Sequence, residues 1–82
     1  LYADIENGVR LIENGDYVGA LKIFNKILQV DETNDFAYYY KSVIAEIFEE
    51  FQKALENIEK ALSLLERSIY YAKKGDILSK IG

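Results

Sequence analysis

The sequence predicts an all-α protein built from antiparallel helix pairs, and three observations support this fold class. Apolar residues recur at helical spacing along nearly the whole chain of 82 residues. The chain contains no Pro, and no segment alternates apolar and polar residues between turn residues as a strand would. The sequence also matches itself after a shift of 34 residues, which indicates a repeated structural unit.

The first two helices are separated by the sequence Asn14-Gly15-Asp16. Gly15 can adopt the left-handed conformation that ends a helix, and Asp16 can cap the helix that follows. We predict these helices near residues 2–14 and 17–30. Their apolar stripes consist of Ile5, Val9 and Ile12 in the first helix and of Ala20, Ile23, Phe24, Ile27 and Leu28 in the second.

The third and fourth helices are harder to separate, because residues 35–74 contain neither Gly nor Pro. The polar cluster at residues 31–35 offers several caps for the third helix. By local signals alone, residues 35–65 could form one helix about 45 Å long. The self-match resolves this ambiguity, because it aligns Gly15-Asp16-Tyr17 with Glu49-Glu50-Phe51 and therefore predicts a turn there.

The remaining boundaries follow from that turn. We predict the third helix near residues 35–48 and the fourth near residues 51–65. A fifth helix is predicted near residues 69–81, with Ser68 as its cap. The apolar stripe of the fourth helix consists of Ala54, Leu55, Ile58, Ala61, Leu62 and Leu65.

The repeat divides the chain into copies at residues 1–34 and 35–68 and a partial copy at residues 69–82. The third copy begins after a slip of one residue, so that Tyr38, Lys41 and Ser42 recur as Tyr71, Lys74 and Gly75. Because the chain begins with Leu and contains no Met, we expect one domain over residues 1–82 that is an excerpt of a longer chain. The first two copies share Ala3 and Ala37, Val9 and Val43, Ala20 and Ala54, Leu21 and Leu55, Lys26 and Lys60, Leu28 and Leu62, and Glu32 and Glu66.

This pattern resembles the tetratricopeptide repeat family over the whole chain. The resemblance implies antiparallel helix pairs that stack as a right-handed superhelix, and it implies a scaffold for protein interactions. The usual Pro after the second helix is replaced by Glu32 and Glu66. The residues that carry the resemblance are Gly8, Leu11, Gly15, Asp16, Tyr17, Ala20, Phe24, Ile27 and Asn34; then Tyr38, Ser42, Ala45, Phe51, Ala54, Ile58 and Ala61; then Tyr71, Gly75, Leu78 and Gly82.

Small residues at matching positions predict close approach within each helix pair. Ala20 and Ala54 interrupt otherwise bulky stripes on the second helices. Gly8, Ser42 and Gly75 are their expected small partners on the first helices. Small residues facing each other allow two helices to pack at short distance.

Composition excludes several kinds of function. Without Cys or His, neither a thiolate metal site nor a Ser-His nucleophile can be built. The net charge of −4 lacks the basic footprint of a nucleic-acid binder. We therefore expect no enzyme activity, no cofactor and no metal. No signal peptide or membrane-spanning apolar run is visible, so we expect a cytoplasmic protein, and the composition is compatible with a heat-adapted source.

The resemblance also implies where a partner would bind, because the first helices of this family line a concave groove that accepts an extended peptide or a helix. Some members of the family bind the C-termini of chaperones through a clamp of Lys, Asn and Arg. The matching positions here hold Ile5, Val9 and Tyr40, and only Lys73 is basic. An apolar peptide or an amphipathic helix therefore suits this groove better. Ile5, Val9 and Val43 could instead serve only in packing. The implied groove residues are Tyr2, Ile5, Glu6, Val9, Ile12 and Glu13; then Phe36, Tyr39, Tyr40, Val43, Glu46 and Ile47; then Tyr70, Lys73, Asp76 and Lys80.

Three other surfaces of the chain could also contact a ligand or a partner. The last helix lacks its pairing helix, so Tyr71, Gly75 and Leu78 could mediate self-association or contact further repeats of the parent chain. A carboxylate cluster at Glu46, Glu49 and Glu50 is read as a solvated acidic surface rather than a cation site. A region that is both basic and aromatic consists of Arg67, Tyr70, Tyr71, Lys73, Lys74 and Lys80. It could bind RNA by stacking, but the net negative charge of the chain disfavours this function.

Overall fold

The computed structural model describes residues 2–82, apart from the side chain of Tyr2. It contains five helices, and no strand occurs in this part of the chain. Each helix end lies within one residue of its predicted position. The helices are α1 (Tyr2–Glu13), α2 (Tyr17–Val30), α3 (Asp35–Ile47), α4 (Phe51–Leu64) and α5 (Ser68–Ile81).

The helices pack in chain order. Each helix lies against the next, and α1 also lies against α3. Because the connections between packed neighbours are only a few residues long, successive helices run antiparallel. The all-α architecture predicted from the sequence is therefore confirmed, and α3 lies at its centre between α2 and α4.

The turn predicted without a glycine is present, and its backbone reproduces the turn of the first copy. Gly15 has φ of 83°, and Glu49, at the equivalent position, has φ of 59°. In each turn the following amide donates to a carbonyl five residues earlier, from Asp16 to Leu11 and from Glu50 to Ala45, both at 2.8 Å. This is the hydrogen-bonding pattern of a Schellman cap.

Replacing Glu49 with Gly should stabilise the protein. A side chain in the left-handed region costs about 1–2 kcal/mol, and Gly removes this cost. The greater conformational entropy of Gly in the unfolded chain offsets part of the gain, so we expect the free energy of unfolding, measured in urea, to rise by about 0.5–1 kcal/mol. The reverse change, Gly15→Glu, is the matched control and should destabilise. Equal signs for the two variants would contradict this account.

Side-chain caps begin two of the helices. Asp16 Oδ1 accepts a hydrogen bond from the amide of Gly19 at 2.9 Å, as the sequence predicted. Asn34 Oδ1 accepts from the amide of Ala37 at 3.0 Å. The prediction for Ser68 was wrong: Arg67 holds the cap position of α5, and no side chain caps that helix. Arg67 is instead drawn into an ion pair with α3, described below.

Two hydrophobic clusters share α3. The first joins α1, α2 and α3, and the second joins α3, α4 and α5. Because α3 contributes residues to both clusters, it joins the core of the first repeat to the core of the second. The buried members are Ala20, Phe24, Ile27, Ala37 and Ile44 in the first cluster and Ala45, Ala54, Ile58, Ala61, Tyr70 and Ile77 in the second.

The small residues behave differently in the three copies. Ser42 lies against α4 as predicted and donates a hydrogen bond from Oγ to the carbonyl oxygen of Ala54 at 2.8 Å. Gly8 lies against the ring of Phe24 in α2: a Cβ there would lie 2.5 Å from Cζ of Phe24. A Cβ at Gly75 would meet no atom of the described residues within 4 Å. The glycine of α1 therefore accommodates an aromatic ring, whereas that of α5 faces open space.

Candidate functional site

A cavity of about 400 Å³ opens between α1 and α3 on the face where the first helices of the pairs meet. Its aromatic wall comes from α3, and its aliphatic wall from α1. A polar rim also comes from α1. The lining residues are Ile5, Glu6, Val9, Arg10, Glu13, Phe36 and Tyr40.

Helix geometry explains how α1 supplies both an apolar wall and a polar rim. Glu6, Arg10 and Glu13 are spaced by four and three residues and therefore share one stripe of α1. Ile5 and Val9 lie on the neighbouring stripe and also pack against the first hydrophobic cluster. Packing against this cluster therefore fixes the positions of the Ile5 and Val9 side chains in the cavity wall.

The aromatic wall belongs to a ladder of rings that crosses the domain. The ring of Tyr40 stacks on Phe24 with centroids 5.2 Å apart, and Tyr39 meets Tyr40 edge-on at 4.9 Å. Tyr39 also stacks on Tyr70 at 5.2 Å. These contacts join α2, α3 and α5, so the position of Tyr40 in the cavity is fixed by packing.

Phe36 forms the mouth of the cavity with 36% of its surface exposed. The guanidinium of Arg67 lies 4.3 Å from the centroid of its ring, in a cation–π contact. The ring of Tyr70 meets Phe36 edge-on at 6.4 Å. Phe36 is therefore held in place while part of its surface stays available.

A hydrogen-bonded cluster behind Phe36 holds α5 to the start of α3. Asp35 Oδ2 accepts from Arg67 Nε at 2.8 Å and from the hydroxyl of Tyr70 at 2.5 Å. Burial raises the pKa of Asp35, but these two hydrogen bonds outweigh it and hold the pKa below its usual value. Burial and the same bond to Asp35 raise the pKa of Tyr70 well above its ordinary range.

A second carboxylate ties the other end of α5 to α3. Glu46 Oε1 accepts from Lys73 Nζ, and Glu46 Oε2 accepts from Lys80 Nζ, each at 2.7 Å. Burial raises the pKa of Glu46, but the hydrogen bonds from the two lysines outweigh it and lower the pKa. Glu46 is therefore a structural bridge between helices, and the predicted carboxylate cluster is divided, because Glu50 pairs with Lys53 at 3.6 Å.

These pairs neutralise the basic and aromatic region that the sequence singled out. Arg67, Lys73 and Lys80 are paired as described above, and Lys74 Nζ lies 3.4 Å from Glu59. The carboxylates of the cavity differ, because neither Glu6 nor Glu13 has an ion-pair partner among the described residues. The carboxylates of Glu6 and Glu13 are therefore unpaired within that part of the chain, and together with Arg10 they give the cavity lining a net charge of −1.

Six of the residues assigned to the groove line the cavity: Ile5, Glu6, Val9, Glu13, Phe36 and Tyr40. Arg10 also lines it and was missed, although its position four residues after Glu6 places it on the same stripe. A helical-wheel projection of α1 places Arg10 on the stripe of Glu6 and Glu13, both of which had been assigned to the groove. The tyrosine at position 2 lies outside the described side chains.

The other groove residues occupy different environments. Ile12 and Tyr39 are half-buried against the hydrophobic clusters, and Val43 is half-buried outside the cavity. Ile47 is exposed at the end of α3. Lys73 is engaged by Glu46, as described.

The placement of Tyr70 in the groove was wrong. Its side chain is fully buried between α3 and α4, because α5 turns this position inward, where the ring stacks on Tyr39. Tyr71, by contrast, is 52% exposed, and Leu78 on the same stripe of α5 is 45% exposed. With Gly75 between them facing open space, the predicted self-association residues form an exposed stripe.

Within the described part of the chain, no group of three or more carboxylates is arranged to hold a metal ion. No described helix is both long enough and apolar enough to cross a membrane.

Comparison with known proteins gave one informative match. No family model matches the chain. A TPR repeat-containing protein of Methanocaldococcus jannaschii is 67% identical to it over 81 residues, which is 99% of this chain. The chain spans only 14% of the length of that relative.

Proposed function

Because this chain belongs to the tetratricopeptide repeat family, we propose that it captures a segment of a partner protein in the concave groove formed by α1, α3 and α5. The observation that carries the proposal is the cavity of about 400 Å³ between α1 and α3. Its volume lies within the range of protein ligand pockets, and its walls combine apolar and aromatic side chains with a few polar groups.

The supporting structure keeps this cavity open in the free protein. Tyr40 is fixed by stacking on Phe24, and Phe36 is fixed by Arg67 and Tyr70. A wall that is already ordered loses little conformational entropy when a partner binds. The lysines of α5 are not free to bind the carboxylates of a C-terminal peptide. Glu46 pairs with Lys73 and Lys80, and Glu59 pairs with Lys74.

Replacing Phe36 with Ala should weaken partner binding at least about tenfold, because aromatic anchors contribute strongly at the centre of an interface. Phe48→Ala is the matched control: Phe48 is 50% exposed and lines a different, much smaller pocket, beside Tyr17. Tyr39 and Tyr40 are unsuitable test positions, since both pack into the core.

The binding assay can begin from a displayed library of 18-residue peptides selected on the immobilised chain. Affinities of the enriched peptides are then measured for the wild type and both Phe variants by fluorescence anisotropy. Failure to enrich any peptide, or equal weakening by both variants, would count against groove binding.

A second candidate function is self-assembly through α5, favoured by the exposed stripe of Tyr71 and Leu78. If this stripe pairs with a second copy, light scattering will give about twice the chain mass of 9.4 kDa, and Leu78→Glu will restore the monomer. The control is Val18→Glu, at a residue of α2 that is 62% exposed. A monomer at all concentrations would refute self-assembly and leave groove binding intact.

A further inference from the structure

The unpaired acidic rim of the cavity narrows the class of partner, and this inference rests on the proposed function. We propose that the captured segment is an amphipathic helix whose apolar stripe enters the cavity and whose flank carries two basic residues seven positions apart, paired with Glu6 and Glu13.

The charge around the cavity supports a basic partner. The lining contains Glu6, Glu13 and a single cation, Arg10, which gives a net charge of −1. Arg10 donates to Asn7 at 3.3 Å and forms no ion pair with either carboxylate. On the other side of the groove, Lys73 and Lys80 are already paired. A basic partner therefore gains two new ion pairs at the rim without breaking an existing one.

The position of Glu13 brings that charge next to the aromatic wall. Glu13 and Tyr40 line the same cavity, and the pKa of Tyr40 is raised by burial and then by its neighbours Tyr39 and Glu13. A cation that pairs with Glu13 would therefore lie beside the ring of Tyr40, where a cation–π contact adds to the ion pair.

The spacing of the rim favours a helix over a strand. Glu6 and Glu13 are separated by seven helical residues, which corresponds to about 10.5 Å along α1. A helical partner presents residues seven apart on one face at the same distance. Side chains on one face of an extended strand recur at about 6.6 Å and then about 13 Å, and neither value matches. An acidic residue midway along the partner helix would meet Arg10.

The library selection described above tests this inference directly. We expect enriched peptides to combine a helical apolar stripe with Lys or Arg seven positions apart. Enrichment of apolar anchors without these cations, or of peptides with Pro in the stripe, would overturn the inference and leave groove binding standing. Failure to enrich any peptide would overturn both.

A charge-reversal experiment then identifies the carboxylates. The double variant Glu6→Lys and Glu13→Lys should bind an enriched basic peptide at least about tenfold more weakly, since two ion pairs become two repulsions. The control is Glu32→Lys with Glu56→Lys: both residues are exposed, and the net charge changes equally. A peptide with its two basic residues changed to Glu should regain binding to the first double variant. Equal loss in both double variants, or no regain, would refute the assignment.

Discussion

Replacing Asp35 with Ala should lower the free energy of unfolding by about 2–4 kcal/mol. The change removes the acceptor of the Tyr70 hydroxyl, which is on a fully buried side chain, and the partner of Arg67. A buried donor left without an acceptor costs about 1–3 kcal/mol, and the loss of a partly buried charge pair adds to that cost. The effect should exceed that of Tyr70→Phe, which removes the donor and leaves Asp35 paired with Arg67.

Urea unfolding at neutral pH measures the difference, with Asp76→Ala as the control at an exposed carboxylate. Asp76→Ala should change the stability by less than about 0.5 kcal/mol. A loss for Asp35→Ala no larger than that of the control would show that the cluster contributes nothing to stability.

The same cluster predicts an acid limb of stability. Because the pKa of Asp35 in the folded state is lowered, its contribution is fully present above the unfolded pKa, near 4, and is lost as the pH falls through the lower folded value. Glu46 acts in the same direction. The stability of Asp35→Ala should therefore fall less steeply below pH 4 than that of the wild type.

Replacing Gly8 with Ser should destabilise the protein by about 1–3 kcal/mol, and Phe24→Ile should do so by a similar amount, yet the double variant should nearly recover the wild-type stability. The single change at Gly8 pushes a Cβ against the buried ring of Phe24, which is stacked on Tyr40 and cannot move away. The single change at Phe24 leaves a cavity.

The chain itself contains the compensated pair. At the equivalent positions of the second copy, Ser42 replaces the glycine and Ile58 replaces the phenylalanine. There the serine hydroxyl is bonded to the carbonyl of Ala54, so the double variant can form the same bond to Ala20. Transferring this pair to the first copy should therefore restore both packing and hydrogen bonding.

A double-mutant cycle by urea unfolding gives the coupling energy between the two positions, which should equal the sum of the two single losses, about 2–6 kcal/mol. Gly75→Ala is the control: that position faces open space within a helix, so the substitution should stabilise by about 0.5–1 kcal/mol. Additive effects of Gly8→Ser and Phe24→Ile would show that the two positions are not packed against each other.

The predicted site was only partly recovered because helical periodicity fixes the angle of a residue around its own helix axis and nothing more. It placed Ile5 and Val9 on one stripe, and both line the cavity. It could not fix the rotation of α5 against α4, so Tyr70 was assigned to the groove although it lies in the core. Arg10 was not assigned to the groove, although Glu6 and Glu13 on the same stripe of α1 were.

The sequence by itself determined the all-α class, the helix ends and the family. It even located the turn at Glu49, because the repeat carries the geometry of Gly15 to a position with no glycine. These features depend on residues near in sequence or at a fixed period. The tertiary structure alone decided which carboxylates are paired: Asp35 and Glu46 meet cations of Arg67, Lys73 and Lys80 between 27 and 34 residues away. Such contacts depend on the relative rotation and height of helices, which no local pattern encodes. They leave Glu6 and Glu13 as the acids of the cavity free to pair with a partner.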